Sequence, residues 1–346
     1  MGASLLGRLA PWLILAWVLA LCSPALAGPR GVIVPRGPNP ATTSATSTHP
    51  DTPAHVAGVV AGGERASSWG RPAVWGLAAL ILAGLWKFGV MEKGFLPKPK
   101  AAGGTGGGGG GGQPAWAFVM GALVIYLSGV LGYALAQSLL PWPRDATVYT
   151  SQGRAWAAVG YYALGIPAGL ALVTLTSGGL RKVFALKDPV VGLLVLAMVF
   201  PLVMVAGDAA STAAALIEGQ RPSPVAHETL KTIVADPKDR WALVMAACAV
   251  VGAPVFEEIL YRYFLQTGIA LATGTPWIAI LATSALFALS HRSGDQVPWH
   301  ALAPLFVLSV TLGAAYAKTG RLGVVIVMHA GFNLANILVA LWITGA

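Results

Sequence analysis

Long apolar runs are the feature that most constrains what this chain can fold into. A helix that crosses a bilayer needs about 20 consecutive apolar residues, and the sequence has a series of such runs separated by polar loops. Only 10% of the 346 residues are charged, whereas soluble globular proteins have about 25%. The sequence therefore predicts an all-α, polytopic membrane protein with about eight transmembrane helices after an N-terminal signal segment. The predicted spans are 72–90, 115–140, 155–180, 189–207, 241–272, 276–291, 299–317 and 322–344.

The first 70 residues are predicted to lie outside the membrane-embedded part. Residues 1–27 have the pattern of a secretory signal peptide, in which one early cation, Arg8, precedes an apolar stretch and a small-residue Ala-Leu-Ala sequence. An uncleaved anchor is the alternative, because the apolar stretch is only slightly too short to span a bilayer. Residues 28–70 are rich in Pro, Gly, Ser and Thr, which predicts a disordered extracytoplasmic linker in either case.

The basic residues indicate which loops face the cytoplasm. The formal net charge is +9, but Lys and Arg lie in short loops beside apolar runs and not in one basic stripe, so we expect no nucleic-acid partner. The positive-inside rule then places these loops in the cytoplasm, including a glycine-rich loop at about 91–114, and places the loop 208–240 outside. The expected location is the plasma membrane. The cations concerned are Lys87, Lys93, Lys98, Lys100, Arg181, Lys182, Lys187, Lys318 and Arg321.

Two adjacent carboxylates stand inside the apolar run 241–272. A charge at the centre of a bilayer costs about 2.5–3.5 kcal/mol on insertion scales, so Glu257 and Glu258 require an explanation. Arg262 follows Glu258 by four residues and shares its helix face, which predicts an ion pair between them. Glu257 lies about 100° further round the helix and is free to point elsewhere. The alternative is that both glutamates are structural partners of Arg262.

Two histidines and an asparagine stand in later spans. His291 ends the run 276–291, where an interfacial position is the ordinary expectation, as it is for His300 in the next loop. His329 and Asn333 are four residues apart in the last span and so share one helix face. Their ordinary use would be interhelical hydrogen bonding, worth about 1 kcal/mol per contact. Their chemical use would be proton transfer by histidine and hydrogen-bond donation by the amide.

Counting residues along the helices predicts that these groups converge. At 1.5 Å per residue, Glu257 lies roughly 24 Å above the cytoplasmic turn that follows its helix, and His291 lies about as far above it. His329 lies roughly 12 Å above the turn before its own helix, and Asn333 is about 6 Å higher. A helix tilt of about 20° can absorb the remaining offset. We therefore expect one interior pocket that contains a glutamate, two histidines and an asparagine.

Three motifs in this order resemble those of the CPBP intramembrane proteases, which include the eukaryotic CAAX prenyl endopeptidases and bacteriocin-processing and immunity-type proteins. The first is a glutamate pair followed, after three intervening residues, by an arginine, and it is matched by Glu257, Glu258 and Arg262. The second, Phe-x-x-x-His, is matched by Phe287 and His291. The third, His-x-x-x-Asn, is matched by His329 and Asn333. The resemblance implies a protease domain at about 189–346, preceded by additional transmembrane helices at 71–188.

The resemblance implies hydrolysis of peptide bonds in a membrane-associated protein or peptide. It assigns Glu257 as the general base that activates water, with His291 assisting, and assigns His329 and Asn333 to the oxyanion. The Glu-Arg ion pair would orient the site. A carboxylate in an apolar pocket and side-chain donors aimed at developing charge suit this chemistry.

Two alternatives remain from the sequence. In a zinc-dependent version of the same protease, Glu257, His291 and His329 would hold the metal, since two histidines and one carboxylate can bind zinc. No short ligand signature supports that set, so no cofactor is expected. The alternative from a different class is a non-catalytic proton-coupled transporter or scaffold, because buried Glu and His residues also form proton relays. No internal repeat supports a transporter.

Overall fold

The computed structural model describes residues 72–89, 96–97, 113–139, 151–220, 222–223, 227–292 and 297–345. The predicted signal peptide, the predicted linker and most of the glycine-rich loop lie outside the described residues. The described part is all helical. Its helices are α1 (Pro72–Lys87), α2 (Ala115–Leu139), α3 (Ser151–Ser177), α4 (Asp188–Glu218), α5 (Glu228–Ala235), α6 (Arg240–Thr273), α7 (Pro276–Ser290), α8 (Leu302–Thr319) and α9 (Leu322–Thr344).

Six of these helices are long and apolar enough to cross a membrane, namely α2, α3, α4, α6, α9 and α8 with the 3₁₀ turn Trp299–Ala301 that precedes it. The helices α1 and α7 coincide with two further predicted spans but are shorter. The 15 residues of α7 extend about 22 Å, less than the hydrocarbon core of about 30 Å. Six predicted spans are therefore confirmed by length and composition, and the count of eight stays a prediction.

The predicted loop 208–240 contains more structure than its composition suggests. Helix α4 continues to Glu218, and the short helix α5 lies in the remainder. His227 caps the N-terminus of α5, where its Nδ1 accepts a hydrogen bond of 3.1 Å from the backbone N–H of Thr229. Helix α5 packs against α6 and α9, so it covers the end of the bundle where those helices meet.

Helix α6 is the centre of the bundle, in contact with α2 and α3 on one side and with α7 and α9 on the other. Two small residues allow the close approach of its neighbours. A Cβ at Gly121 of α2 would overlap the ring of Phe264, and a Cβ at Gly165 of α3 would overlap the ring of Phe256. Both rings are almost fully buried in the main apolar cluster. The helix with the glutamate pair is therefore fixed by direct packing of helix backbones.

At the end of the bundle opposite α5, a partly buried ion pair joins the starts of α4 and α9. Arg321 donates through Nε to Asp188 at 2.7 Å, and Asp188 also accepts from the backbone N–H of Ala185 at 2.7 Å. The backbone N–H of Leu322 donates to the carbonyl of Val183 at 2.9 Å. These bonds fix the height of α9 against the bundle, and α9 brings its polar face to α6.

Candidate active site

Helix α6 departs from α-helical geometry on both sides of Glu257. Residues Cys248–Gly252 and Glu258–Gln266 form π-helical turns, with a regular segment Ala253–Glu257 between them. Pro254 has no N–H, so the carbonyl groups one turn earlier lose a helical donor. Asn333 of α9 replaces such a donor, since its Nδ2 donates to the carbonyl of Ala249 at 2.7 Å. The predicted site asparagine thus joins α9 to the widened turn of α6.

Glu258 is the centre of a buried polar network. Its Oε2 accepts from Arg262 Nε at 2.9 Å, which confirms the predicted ion pair, and its Oε1 lies 2.8 Å from Nδ1 of His329. Arg262 also donates through Nη2 to Ser309 of α8 at 2.8 Å. The side chains of Glu258 and Arg262 are fully buried. Because each charge has a partner, the cost of placing this pair inside the bundle is reduced.

This network fixes the orientation of the His329 ring. A carboxylate accepts only, so the proton between Oε1 of Glu258 and Nδ1 of His329 belongs to the histidine. In the neutral imidazole, Nε2 is then left as an acceptor. Its nearest charged neighbour is Glu257, whose Oε2 lies 3.9 Å away. That distance is too long for a direct hydrogen bond.

Glu257 differs from its neighbour in having no such network. Its side chain is 19% exposed, and its buried Oε2 has no hydrogen-bond partner among the described residues. Tyr161, Tyr162 and Tyr261 lie close enough to interact with it electrostatically. A partly exposed carboxylate beside an imidazole acceptor can bind and polarise a water molecule, because both groups can accept its protons.

His291 lies at the end of α7, where its Nδ1 is 2.7 Å from the carbonyl of Phe287. The carbonyl accepts, so Nδ1 carries the proton and Nε2 is left as an acceptor. The ring of Phe287 lies against both site histidines, at centroid distances of 4.6 Å for His291 and 5.7 Å for His329. The phenylalanine and the histidine of the second motif thus act together, since the aromatic ring separates and positions the two imidazoles.

The alternative zinc set is not gathered into a metal site. Among the described residues, no group of three His, Cys, Asp or Glu side chains is placed to hold a metal ion. Nδ1 of His329 bonds to Glu258 and Nδ1 of His291 bonds to the Phe287 carbonyl, which leaves Nε2 of each ring as the nitrogen that could bind a metal.

Three residues near the site were missed by reasoning from the sequence. Tyr261 donates to Ser290 at 2.9 Å and packs on Phe287; its position four residues after Glu257 is a signal that could have found it. Ser309 gave no signal, because a serine in an apolar span is commonplace. His227 lies near His291, and burial together with that histidine lowers the pKa of His227 to about 4. His227 is therefore neutral at physiological pH.

The apolar helices define a membrane-embedded protein. Glu258, bonded to its partners, and Glu257, without a hydrogen-bond partner for Oε2 among the described residues, together form a hydrolase-like site. Residues 239–335 match the family described as type II CAAX prenyl endopeptidase Rce1-like, so this segment is a domain of the CAAX protease family, as the three motifs predicted. All the predicted site residues lie within the match. The family supports intramembrane endopeptidase activity. No curated protein and no solved structure matches the chain.

Proposed function

We propose that the protein hydrolyses a peptide bond of a membrane-associated protein or peptide, with water activated jointly by Glu257 and His329. The observation that supports this is the 3.9 Å separation between Oε2 of Glu257 and Nε2 of His329. Both atoms are acceptors in the resting site, so one water molecule can donate to each. Its oxygen lone pair is then directed away from both groups, toward a substrate carbonyl.

The reaction follows from these positions. The water oxygen bonds to the carbonyl carbon as Glu257 takes one of its protons, and the carbonyl oxygen becomes an oxyanion. Glu257 then returns the proton to the amide nitrogen, the C–N bond breaks, and an amine and a carboxylic acid result. Glu258 holds the proton on Nδ1 of His329, so Nε2 remains an acceptor for the second proton of the water. In this neutral form His329 does not donate to the oxyanion, and that role is left to Asn333.

Two further groups assist in this proposal. Asn333 uses one N–H to bond the carbonyl of Ala249, and its second N–H is free to donate to the oxyanion. His291 offers Nε2 as a second acceptor near the water, which suits the assisting role that the family resemblance implies. Arg262 acts through Glu258 and is a positioning residue.

The test uses the full chain in lipid nanodiscs, with a substrate found by comparing membrane proteomes of cells that carry the wild type or Glu257→Gln. We expect the wild type to cleave and Glu257→Gln to accumulate the uncleaved substrate. Asp236→Asn is the matched control, because it also converts a carboxylate to an amide but lies in the loop before α6. Equal cleavage by wild type and Glu257→Gln would contradict the proposal.

Chelation tests the metal-free step separately. After exhaustive treatment with EDTA and 1,10-phenanthroline, we expect the purified protein to keep its activity. Loss of activity that zinc restores stoichiometrically would replace metal-free water activation by Glu257 and His329 with metal catalysis and would leave the endopeptidase assignment intact.

A further inference from the structure

A chain of three hydrogen bonds ties the end of α7 to α6 and leads to His291. The phenol of Tyr261 on α6 donates to the hydroxyl of Ser290 at 2.9 Å. The Ser290 hydroxyl donates to the carbonyl of Phe287 at 2.8 Å, and the same carbonyl lies 2.7 Å from Nδ1 of His291. A tyrosine of the helix that bears Glu257 is thus linked to a site histidine on a different helix.

The Phe287 carbonyl takes part in this chain because α7 ends there. The last four carbonyl groups of a helix have no backbone N–H partner within it, and the backbone N–H of His291 donates to Ala288 at 3.2 Å. A carbonyl oxygen has two lone pairs, and the side chains of Ser290 and His291 supply two donors to that of Phe287. The end of α7 is therefore capped by side chains, and one of them is a candidate catalytic group.

The direction of each bond follows from the carbonyl. A carbonyl cannot donate, so the single hydrogen of the Ser290 hydroxyl points to Phe287, and the Ser290 oxygen accepts from Tyr261. In such a chain each donor polarises the next one. The O–H of Tyr261 therefore fixes the Ser290 hydroxyl and, through it, the carbonyl that holds the proton on Nδ1 of His291.

Tyr261 is also placed to relate two groups of the proposed reaction. It follows Glu257 by four residues, so it lies about one helical turn away on α6. Its side chain is buried, and its ring meets the ring of Phe287 edge-on at a centroid distance of 5.3 Å. The ring of Phe287 in turn lies against His291. The contact between α6 and the end of α7 thus has an apolar part, the two rings, and a polar part, the O–H of Tyr261.

We propose that Tyr261 is a positioning residue for the hydrolytic reaction. Through Ser290 and the Phe287 carbonyl, its O–H keeps His291 in one orientation, with Nδ1 protonated and Nε2 free to accept. This inference rests on the proposed function, in which His291 assists. Neither Tyr261 nor Ser290 belongs to the three motifs, and the phenol exchanges no proton with the water or the substrate.

Nitrogen-15 NMR of the histidine rings tests the inference without requiring a substrate. The full-length protein in nanodiscs is labelled at histidine, and the His291 signals are those that disappear in His291→Gln. At alkaline pH we expect one tautomer in the wild type, protonated at Nδ1. Tyr261→Phe removes only the O–H and keeps the ring, and it should give a mixture of the two tautomers.

Tyr263→Phe is the matched control. Tyr263 is as buried as Tyr261, and its hydroxyl lies 2.9 Å from that of Thr176 on α3, so this variant also removes one phenol hydrogen bond between helices. It should keep the wild-type tautomer of His291. The thermal midpoints of the two variants should fall by similar amounts, so a general loss of stability would not explain a difference between them.

Cleavage kinetics then show whether the orientation of His291 matters for the reaction. With the substrate found as above, Tyr261→Phe should lower kcat about tenfold with little change in KM, an effect of the size that one hydrogen bond gives. Tyr263→Phe should keep the wild-type kcat.

Variants of Ser290 test the route by which Tyr261 acts. Ser290→Ala should lower kcat at least as much as Tyr261→Phe, whereas Ser290→Thr keeps the hydroxyl and should retain activity. Adding Tyr261→Phe to Ser290→Ala should have no further effect, because residues in one chain of hydrogen bonds are not additive.

Three results would overturn the inference: unchanged His291 tautomers in Tyr261→Phe, equal changes in Tyr261→Phe and Tyr263→Phe, or a further loss when Tyr261→Phe is added to Ser290→Ala. A tautomer change in a protein whose wild type cleaves nothing would support the positioning of His291 and contradict the proposed function. Cleavage that depends on Glu257, with unchanged tautomers, would do the reverse.

Discussion

Glu257 and Glu258 are adjacent in the chain, yet they lie in opposite environments. The Glu258 side is closed: its carboxylate is fully buried and bonded to Arg262 and His329. The Glu257 side is open: the carboxylate is partly exposed and its Oε2 has no hydrogen-bond partner among the described residues. Removing the partner of a buried charge destabilises the fold, whereas a carboxylate without such partners is available for chemistry. The difference predicts which substitutions affect cleavage and which affect folding.

The largest effect should come from the open side. Glu257→Gln keeps the size of the side chain but removes the base, so the rate of cleavage should fall by about 10²–10⁴-fold. The thermal midpoint should change little, because no bond of the closed side is lost. Turnover assays and thermal unfolding on the same preparation check both expectations. If Glu257→Gln lost activity only because it unfolds, the proposed difference between Glu257 and Glu258 would be wrong.

On the closed side we expect an effect on stability. Glu258→Ala leaves Arg262 buried without its partner, which should lower the free energy of unfolding by about 3–5 kcal/mol. The measurement is denaturation of the purified protein in detergent. Glu257→Ala is the matched control, with an expected loss of about 1 kcal/mol or less. Equal losses in the two alanine variants would show that the glutamates do not differ as described.

Asn333 combines a structural role with a chemical one. One N–H of its amide bonds α6, and the second N–H is not used in that bond. If that N–H donates to the oxyanion, Asn333→Ala should lower kcat by about 10²-fold with little change in KM. Asn336→Ala is the control, since Asn336 bonds the carbonyl of Phe332 in its own helix. A small loss of stability at unchanged kcat would limit Asn333 to joining α9 to α6.

The smallest effect concerns His227, next to His291. Its pKa is lowered by burial to about 4 from the ordinary 6.5. The unfolded chain therefore binds a proton that the folded protein does not, and stability falls as the pH drops from about 6.5 to 4. His227→Asn, which keeps an N-cap acceptor, should make this decline in Tm shallower. Parallel Tm curves for the two proteins would mean that His227 has no part in acid sensitivity.

The spans that the sequence predicted correctly are those whose apolar runs are long. Length and hydropathy follow directly from the side chains, so α2, α3, α4, α6, α8 and α9 were predictable. The helix α5 was not, because eight residues within a polar loop give too little periodicity. The π-helical turns of α6 were not predictable either, since they depend on packing against α9 and on the bond between Asn333 and Ala249.

In the site, the sequence predicted the pairs that helical spacing determines. Glu258 and Arg262 are four residues apart and do form an ion pair. The depth estimate placed Glu257 at roughly 24 Å and His329 at roughly 12 Å above their turns and needed helix tilt to bring them together. Their side chains do lie close, at 3.9 Å. The estimate did not predict that His329 bonds Glu258, because the rotation of α9 about its axis is set by contacts with several helices. The role of each histidine therefore needed the structure.

The glycines of α2 and α3 have a consequence for how this protein can be divided or recombined. Gly121 and Gly165 lie outside the segment 239–335 that matches the protease family, yet each leaves room for one aromatic ring of the helix that bears the glutamate pair. A gene fragment that encodes only the matched segment would leave Phe256 and Phe264 facing lipid. We therefore expect the smallest unit that folds intact after transfer to begin near Ala115, more than a hundred residues before the first recognisable motif.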